Sequence, residues 1–181
     1  MQNIKNFKKY TPTEEQIAEW KLPAIALYLI SEDGQDWYQC QKKFSPDTFK
    51  VMYDENGVIR SSSKIAGYLT PDNFSVAEVE DTPENRRADH TAQFCYVNGK
   101  IVPRVYSAEE LRRMNNSTIE TMLAKATQEI GPLQDAIEIG RATDAQRALL
   151  IAWKNHRVDL IDLRDSDLGK SNITWPKPPV A

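Results

Sequence analysis

The period of the apolar residues changes at Ser107, and this change constrains the fold more than any other feature of the sequence. Before it, short segments alternate between apolar and polar residues, as in Thr48–Tyr53, which is the period of a strand. After it, apolar residues recur at spacings of three and four, as in an amphipathic helix. The sequence therefore predicts an α+β fold with segregated elements. An antiparallel β-rich domain with hairpins occupies residues 1–105, and a small helical domain with an extended proline-rich tail occupies residues 106–181.

Two hairpins organise the predicted β-rich domain. The turn DENG, residues 54–57, joins the first pair of strands, because Asn and Gly tolerate positive φ. The pair Asn98-Gly99 suits a type I′ turn between the second pair. A short helix is predicted before them, with Thr11 as its N-cap and Glu14 as the reciprocal partner in a capping box. Strands are predicted at residues 24–30, 48–53, 58–62, 68–69, 74–79, 94–97 and 100–105, and in the segment that holds Trp37, Tyr38 and Cys40.

Three helices are predicted in the second domain. Ser107 and Glu110 form a capping box at the first, which Gly131-Pro132 is expected to stop or kink. A short helix is predicted at residues 133–139, and Thr143 caps the last one together with Gln146. The apolar stripe of that last helix comprises Leu149, Leu150, Trp153, Leu160 and Ile161. Trp153 and Trp175 are predicted to be structural, and His156 to lie on the helix surface.

Composition excludes several classes of protein. The net charge is −3 over 181 residues, so no nucleic-acid partner is expected, because such binders carry a basic stripe or patch. Two cysteines are too few for a disulfide framework, which favours a reducing compartment. The longest apolar run, residues 22–30, contains Pro23 and is shorter than the roughly 20 residues that span a membrane, and no secretory signal is predicted.

No pattern in the sequence indicates chemistry. Phosphate-binding glycine loops, the zinc-protease motif and the hydrolase nucleophile elbow are all absent. His90 and His156 have no metal ligand at a recognised spacing, and the carboxylates of Glu78, Glu80 and Asp81 are expected to be solvated. We therefore predict no catalytic residue, no metal and no cofactor, and expect a protein that is not an enzyme.

Two features of the sequence leave alternatives open. The aromatic residues Trp37, Tyr38, Phe49 and Tyr53 fit either a core with scattered exposure or an aromatic patch for a protein partner. The tail Pro176-Lys177-Pro178-Pro179 matches a P-x-x-P ligand, but packing of Trp175 against the last helix is the interpretation we prefer.

Four blocks of sequence carry a resemblance to a known family. They are DWYQCQKKFSPDTFKVMYDENGVIRSSS with SVAEVE after it, YVNGKIVPRVYSAEELR, LQDAIEIGRATDAQRALLIAWKNHRVDLIDL, and the terminal ITWPKPP. Together they resemble the phage tail fibre assembly proteins, in order and over nearly the whole chain. The opening IKNFKKYTP is similar to Mu-like and lambda-like members.

The resemblance implies a non-enzymatic chaperone that acts in the host cytoplasm during virion assembly. Its expected partner is the distal, C-terminal part of a tail fibre, whose folding and trimeric assembly it assists. Such a protein either leaves the fibre or stays at its tip in the virion. The β-rich domain is expected to bind the fibre, while self-association of the helical domain into a homo-oligomer is left open.

The alternative is a fibre-tip module that binds surface glycans of the host, with Trp37 and Tyr38 stacking on sugars. For the fibre contact, the candidate residues lie in the block that carries the resemblance and alternate on predicted strands. They are Trp37, Tyr38, Phe49, Val51, Tyr53, Ile59 and Arg60.

Overall fold

The computed structural model of the protein describes residues 1–21 and 27–180. The chain divides into two compact units, Met1–Arg104 and Val105–Ala181. The strands of the described chain lie in the first unit and the two long helices in the second, which confirms the α+β class. Of the strand predicted at residues 24–30, residues 24–26 lie outside the described residues, and Leu29–Ile30 forms a short strand.

A four-stranded antiparallel sheet forms the centre of the first unit, with the strand order β1-β6-β4-β5. Two further antiparallel pairs, β2 with β3 and β7 with β8, accompany it. The strands are β1 (Asn3–Ile4), β2 (Lys8–Lys9), β3 (Leu29–Ile30), β4 (Thr48–Tyr53), β5 (Ile59–Ser63), β6 (Ser75–Glu80), β7 (Phe94–Val97) and β8 (Lys100–Pro103). Two short helices, α1 (Glu14–Trp20) and α2 (Trp37–Cys40), complete the unit.

Both predicted hairpins are confirmed. In β4–β5 the turn residue Gly57 has φ of +78°, and in β7–β8 Asn98 and Gly99 have φ of +49° and +84°. Positive φ at both central residues is the requirement of a type I′ turn. An isolated bridge between Val58 and Cys95 connects the two hairpins.

Strand β4 is buried on both faces, because a hydrophobic cluster covers each of them. The first cluster comprises Phe49, Val51, Tyr53, Ile59, Ala77, Val79 and Ala88. The second comprises Ile4, Phe7, Leu29, Trp37, Cys40, Phe44, Met52, Ala66, Leu69 and Val76. Fully burying one aliphatic or aromatic side chain contributes about 1.5–3 kcal/mol, so both clusters stabilise the unit.

Three local predictions in the first unit were wrong. Trp37, Tyr38 and Cys40 lie in helix α2 rather than in a strand, because the Asp36 side chain caps the helix by accepting a hydrogen bond from the Gln39 N–H. Thr13 caps α1 in place of Thr11, with Gln16 as its partner. Tyr68 belongs to a 3₁₀ turn, not to a strand.

The second unit is a hairpin of two helices, α3 (Ala108–Glu138) and α4 (Asp144–Arg164). Capping boxes at Ser107 and Thr143 begin them as predicted. Pro132 does not end α3, so the prediction of three helices was wrong. The residue before a proline normally resists the helical conformation through its Cβ, and here that residue is a glycine.

The core of the helical unit includes Ala126, Ile130, Leu150 and Trp153. His156 is also buried, at 4% exposure, so its predicted surface position was wrong. Its ring packs edge-on against Trp153, with centroids 5.6 Å apart. Its Nδ1 has no hydrogen-bond partner within the described part of the chain. Among the helices described, none is long and apolar enough to cross a membrane.

Candidate binding surfaces of the β-rich unit

A polar cleft of about 490 Å³ opens where the two hairpin turns approach the segment after β1. We call it the tyrosine cleft, because Tyr53 and Tyr96 line it with their ring centroids 4.8 Å apart and their planes tilted by 34°. Residues 54–57 and 97–99 supply the two turns, and Asn3, Lys5, Asn6 and Ser75 complete the lining.

The chemistry of the tyrosine cleft suits hydrogen bonding and stacking. Tyr53 donates its hydroxyl to Asn3 Oδ1 at 2.7 Å. Burial raises the pKa of both Tyr53 and Tyr96, so the rings stay neutral at physiological pH. A neutral phenol both donates and accepts hydrogen bonds, so the two tyrosines suit a polar ligand.

Arg60 is held beside this cleft by hydrogen bonds to Asp54, which lines the cleft. The Arg60 Nε and Nη2 donate to Asp54 Oδ2 at 2.9 and 2.8 Å. The other oxygen, Oδ1, accepts from the backbone N–H groups of Asn56 and Val58. The carboxylate therefore fixes both the turn and the orientation of the arginine.

Gly57→Ala is expected to lower the free energy of unfolding by about 1–3 kcal/mol, because a left-handed backbone conformation is strained for alanine. The added Cβ would also lie 2.9 Å from the Tyr96 carbonyl oxygen. Gly99→Ala is the matched control, since Gly99 has a similar φ but nothing within 4 Å of its Cβ position. Urea unfolding of the two variants measures the difference. Equal losses would show that the approach of Gly57 to Tyr96 has no energetic consequence.

A second cleft, of about 530 Å³, lies between the end of α2 and the turn after β5. Lys42, Lys50 and Lys64 line it, and we call it the lysine cleft. Its apolar walls include Phe44 and Ala66. The turn that carries Ala66 also leaves Ile65 and Tyr68 exposed, at 53% and 77%.

The structure buries five of the seven residues predicted to contact a fibre. Phe49, Val51 and Ile59 share one core cluster with Tyr53, which also lines the tyrosine cleft. Trp37 lies in the other cluster, where its Nε1 donates to the Leu69 carbonyl at 3.1 Å. A buried ring cannot stack on a sugar, so the interpretation of Trp37 as a glycan platform was wrong.

Tyr38 and Arg60 are the two members of the predicted set that reach the surface. Tyr38 is half-buried, with its hydroxyl 3.3 Å from the Leu27 carbonyl and its ring edge-on to Tyr28. Arg60 is exposed. The fibre contact of both residues stays a prediction.

Sequence reasoning missed Tyr96, Ile65 and Tyr68. Tyr96 was detectable, because it lies in strand β7, two residues before Asn98 of the hairpin turn. The sequence predicts a strand at Tyr68, so the exposed turn at residues 66–68 was missed. No group of His, Cys, Asp and Glu in the described part of the chain is placed to hold a metal ion.

Comparison with known proteins decides the family. The family model described as "Caudovirales tail fibre assembly protein, lambda gpK" matches residues 39–180. The chain belongs to the tail fibre assembly protein family.

Relatives of this tail fibre assembly protein match along nine tenths or more of the chain. The probable tail fiber assembly protein of Escherichia phage P2 is 36% identical over 179 residues, which is 99% of each chain. Tail fiber assembly protein U of Escherichia phage Mu is 35% identical over 179 residues, again 99% of each chain. The tail fiber assembly protein of Escherichia phage lambda is 31% identical over 167 residues, covering 91% of this chain and 76% of that protein. The resemblance stated from the sequence is confirmed.

Proposed function

We propose that this protein is a chaperone for the folding and trimeric assembly of the distal, C-terminal part of a phage tail fibre. Its relatives are named for tail fibre assembly, and they share both units of the chain. The physical need is specific, because intertwined β trimers have high contact order, fold slowly and expose strand edges that aggregate. A protein bound to the fibre end shields such edges, and it either leaves afterwards or remains at the tip.

The observation that carries the proposal is the exposed apolar turn beside the lysine cleft, of which Ile65 lines the cleft itself. Ile65 and Tyr68 lie three residues apart, at the two ends of one turn, and both are largely exposed. Tyrosine is enriched in protein interfaces, and contiguous exposed apolar patches mark interaction surfaces. We therefore place the fibre contact in the β-rich domain, residues 1–105, and leave the helical domain, residues 106–181, for self-association or docking.

Co-expression with the C-terminal segment of the neighbouring fibre gene tests the proposal. Size exclusion with light scattering then reports the mass of each species. A stoichiometric complex that persists supports a chaperone that remains at the tip, while soluble trimeric fibre without bound partner supports a transient one. A fibre segment that trimerises equally well alone contradicts the chaperone function.

Tyr68→Ala and Ile65→Ala are each expected to weaken the fibre complex about tenfold or more, as truncation of a central interface residue does. Neither should change the unfolding midpoint by much, because both side chains are exposed. Titration calorimetry with the purified fibre segment measures the affinity. Ile17→Ala, an exposed change on α1, is the control, and Tyr38→Ala and Arg60→Ala test the surface members of the predicted contact set.

A second candidate function is binding of host surface glycans at the fibre tip, and the tyrosine cleft favours it. The half-buried ring of Tyr96, with amides and carboxylates around it, offers the stacking surface and hydrogen bonds that sugars use. Glycan-array binding by the purified protein or its fibre complex, reduced by Tyr96→Ala, would support this function. A negative result with both samples would remove it.

A further inference from the structure

The lysine cleft combines an apolar interior with charge of a single sign. Phe44, Ala66 and Ile65 supply its apolar surface. Three lysines line it, and none of its described lining residues is acidic. A complementary ligand therefore has an apolar body and an anionic group.

Lys50 is the structural lysine of this cleft. It is 1% exposed, and its Nζ donates to the backbone carbonyls of Ser45, Thr48 and Lys64. All three of its donors are therefore used. Glu78 lies opposite Lys50 in the register of β4 and β6, so the two opposite charges are on the same face of the sheet.

Lys42 and Lys64 are the lysines available to a ligand. Lys64 Nζ lies 3.1 Å from Asp81 Oδ2, but Asp81 also binds the guanidinium of Arg86 with both oxygens. Two cations thus share one carboxylate, so Asp81 does not neutralise both Lys64 and Arg86. Lys42 is exposed and has no ion pair with any residue in the described ranges.

We propose that the lysine cleft captures the C-terminal residue of the fibre polypeptide, with the terminal carboxylate on Lys42 and Lys64 and an apolar side chain against Phe44 and Ala66. This inference rests on the proposed function and names the part of the fibre that is recognised. A chain end carries its carboxylate and its side chain on the same carbon, so it presents both groups within one residue. An internal Asp or Glu places the charge at the end of its side chain, so a second residue would have to contact the apolar walls. Capture of a terminal carboxylate is an established mode of peptide recognition.

The test uses the full-length protein and two forms of the fibre end. The C-terminal fibre segment is prepared with its native end and with a Ser-Gly extension, and its last eight residues are synthesised as the free acid and as the amide. We expect the native segment and the free-acid peptide to bind at least tenfold more tightly than the extended segment and the amide, by calorimetry and by backbone amide shifts at Ile65, Ala66 and Gly67. The double variant Lys42→Gln/Lys64→Gln should abolish this preference. Lys43→Gln is the matched control, because Lys43 is also exposed but does not line the cleft and donates to Gln35 instead.

The outcomes separate this inference from the proposed function. If the native and extended segments bind equally, the fibre complex stands and capture of the chain end is wrong. If no fibre segment binds, the proposed function fails. If the free-acid peptide and its amide also bind equally, the capture of the chain end is wrong as well. Octanoate that binds as tightly as the free-acid peptide would identify a site for small apolar acids and also overturn it.

Discussion

Replacing Glu78 with Gln is expected to lower the free energy of unfolding by about 1.5–3 kcal/mol, because a buried carboxylate that accepts three hydrogen bonds loses its charge. Glu78 is 4% exposed, although it was expected from the sequence to be solvated. Its Oε2 accepts from the Gln2 N–H at 2.6 Å. Its Oε1 accepts from the Ser45 N–H at 2.5 Å and from the Thr48 hydroxyl at 2.7 Å. A glutamine side chain has only one oxygen, so its NH₂ group would face at least one of these three donors and leave it without an acceptor.

Ser45 and Thr48, which donate to Glu78, also accept hydrogen bonds from the cation of Lys50. Lys50 lies across from Glu78 in the register of β4 and β6, and it donates to the carbonyls of Ser45 and Thr48. One cation and one anion therefore fix the segment that leads into β4, and Glu78 ties β1 to β6 as well. Because this segment also lines the lysine cleft, the pair shapes that surface.

A double-mutant cycle with Lys50→Met and Glu78→Gln measures the coupling, and we expect the double variant to lose less than the sum of the single losses. Glu80→Gln is the control, because Glu80 lies two residues along the same strand and is exposed. Urea unfolding gives each free energy. A loss at Glu78→Gln no greater than that of the control would show that the buried network does not stabilise the fold.

The contribution of Glu78 also depends on pH. Burial alone would raise the pKa of Glu78, but hydrogen bonds from Gln2, Thr48 and Ser45 and the charge of Lys50 hold its pKa below the usual value. A depressed pKa in the folded state means that the stabilisation is complete above the pKa of the unfolded state and is lost as the pH falls. The stability difference between the wild type and Glu78→Gln should therefore shrink on acidification below about pH 4.5.

Replacing Trp153 with Ala is expected to lower the free energy of unfolding of the helical unit by about 3–5 kcal/mol, through lost burial and the cavity that remains. Trp153 is 5% exposed and packs with Ala126, Ile130 and Leu150. The variant also removes the ring that contacts His156. Urea unfolding followed by far-ultraviolet circular dichroism, which reports the helices, measures the loss.

Ile151→Ala is the matched control for this change, since Ile151 lies on the same helix but is 61% exposed. Its effect should stay within about 0.5 kcal/mol. Similar losses for the two variants would contradict the assignment of Trp153 to the core. The structural role predicted for Trp175, which is half-buried, remains a prediction.

Independent folding of the two domains is a proposal that the Trp153→Ala variant also addresses. If the units unfold separately, the variant shifts the helical transition and leaves the near-ultraviolet tyrosine signal of the β-rich unit unchanged. A single transition that shifts for both probes would show that they unfold together.

The sequence by itself determined the features that arise within a few residues. Asn98-Gly99 specifies its turn because only particular backbone angles are open to it, and the capping boxes at Ser107 and Thr143 satisfy backbone donors three residues away. The change of apolar period at Ser107 then separated strands from helices. Together with the family resemblance, these local signals gave the α+β class and the role in fibre assembly.

Only the tertiary structure decided which side chains are buried and which surfaces form clefts. The pattern of β4 shows two faces, but distant segments cover both, so Lys50 is buried where alternation alone suggests a polar surface. Helix α3 continues through Pro132, and His156 lies inside its hairpin. Lys42 and Lys64 both line the lysine cleft, although they lie 22 positions apart in the sequence. Such contacts depend on strand order and packing, and no period or motif within either segment encodes them.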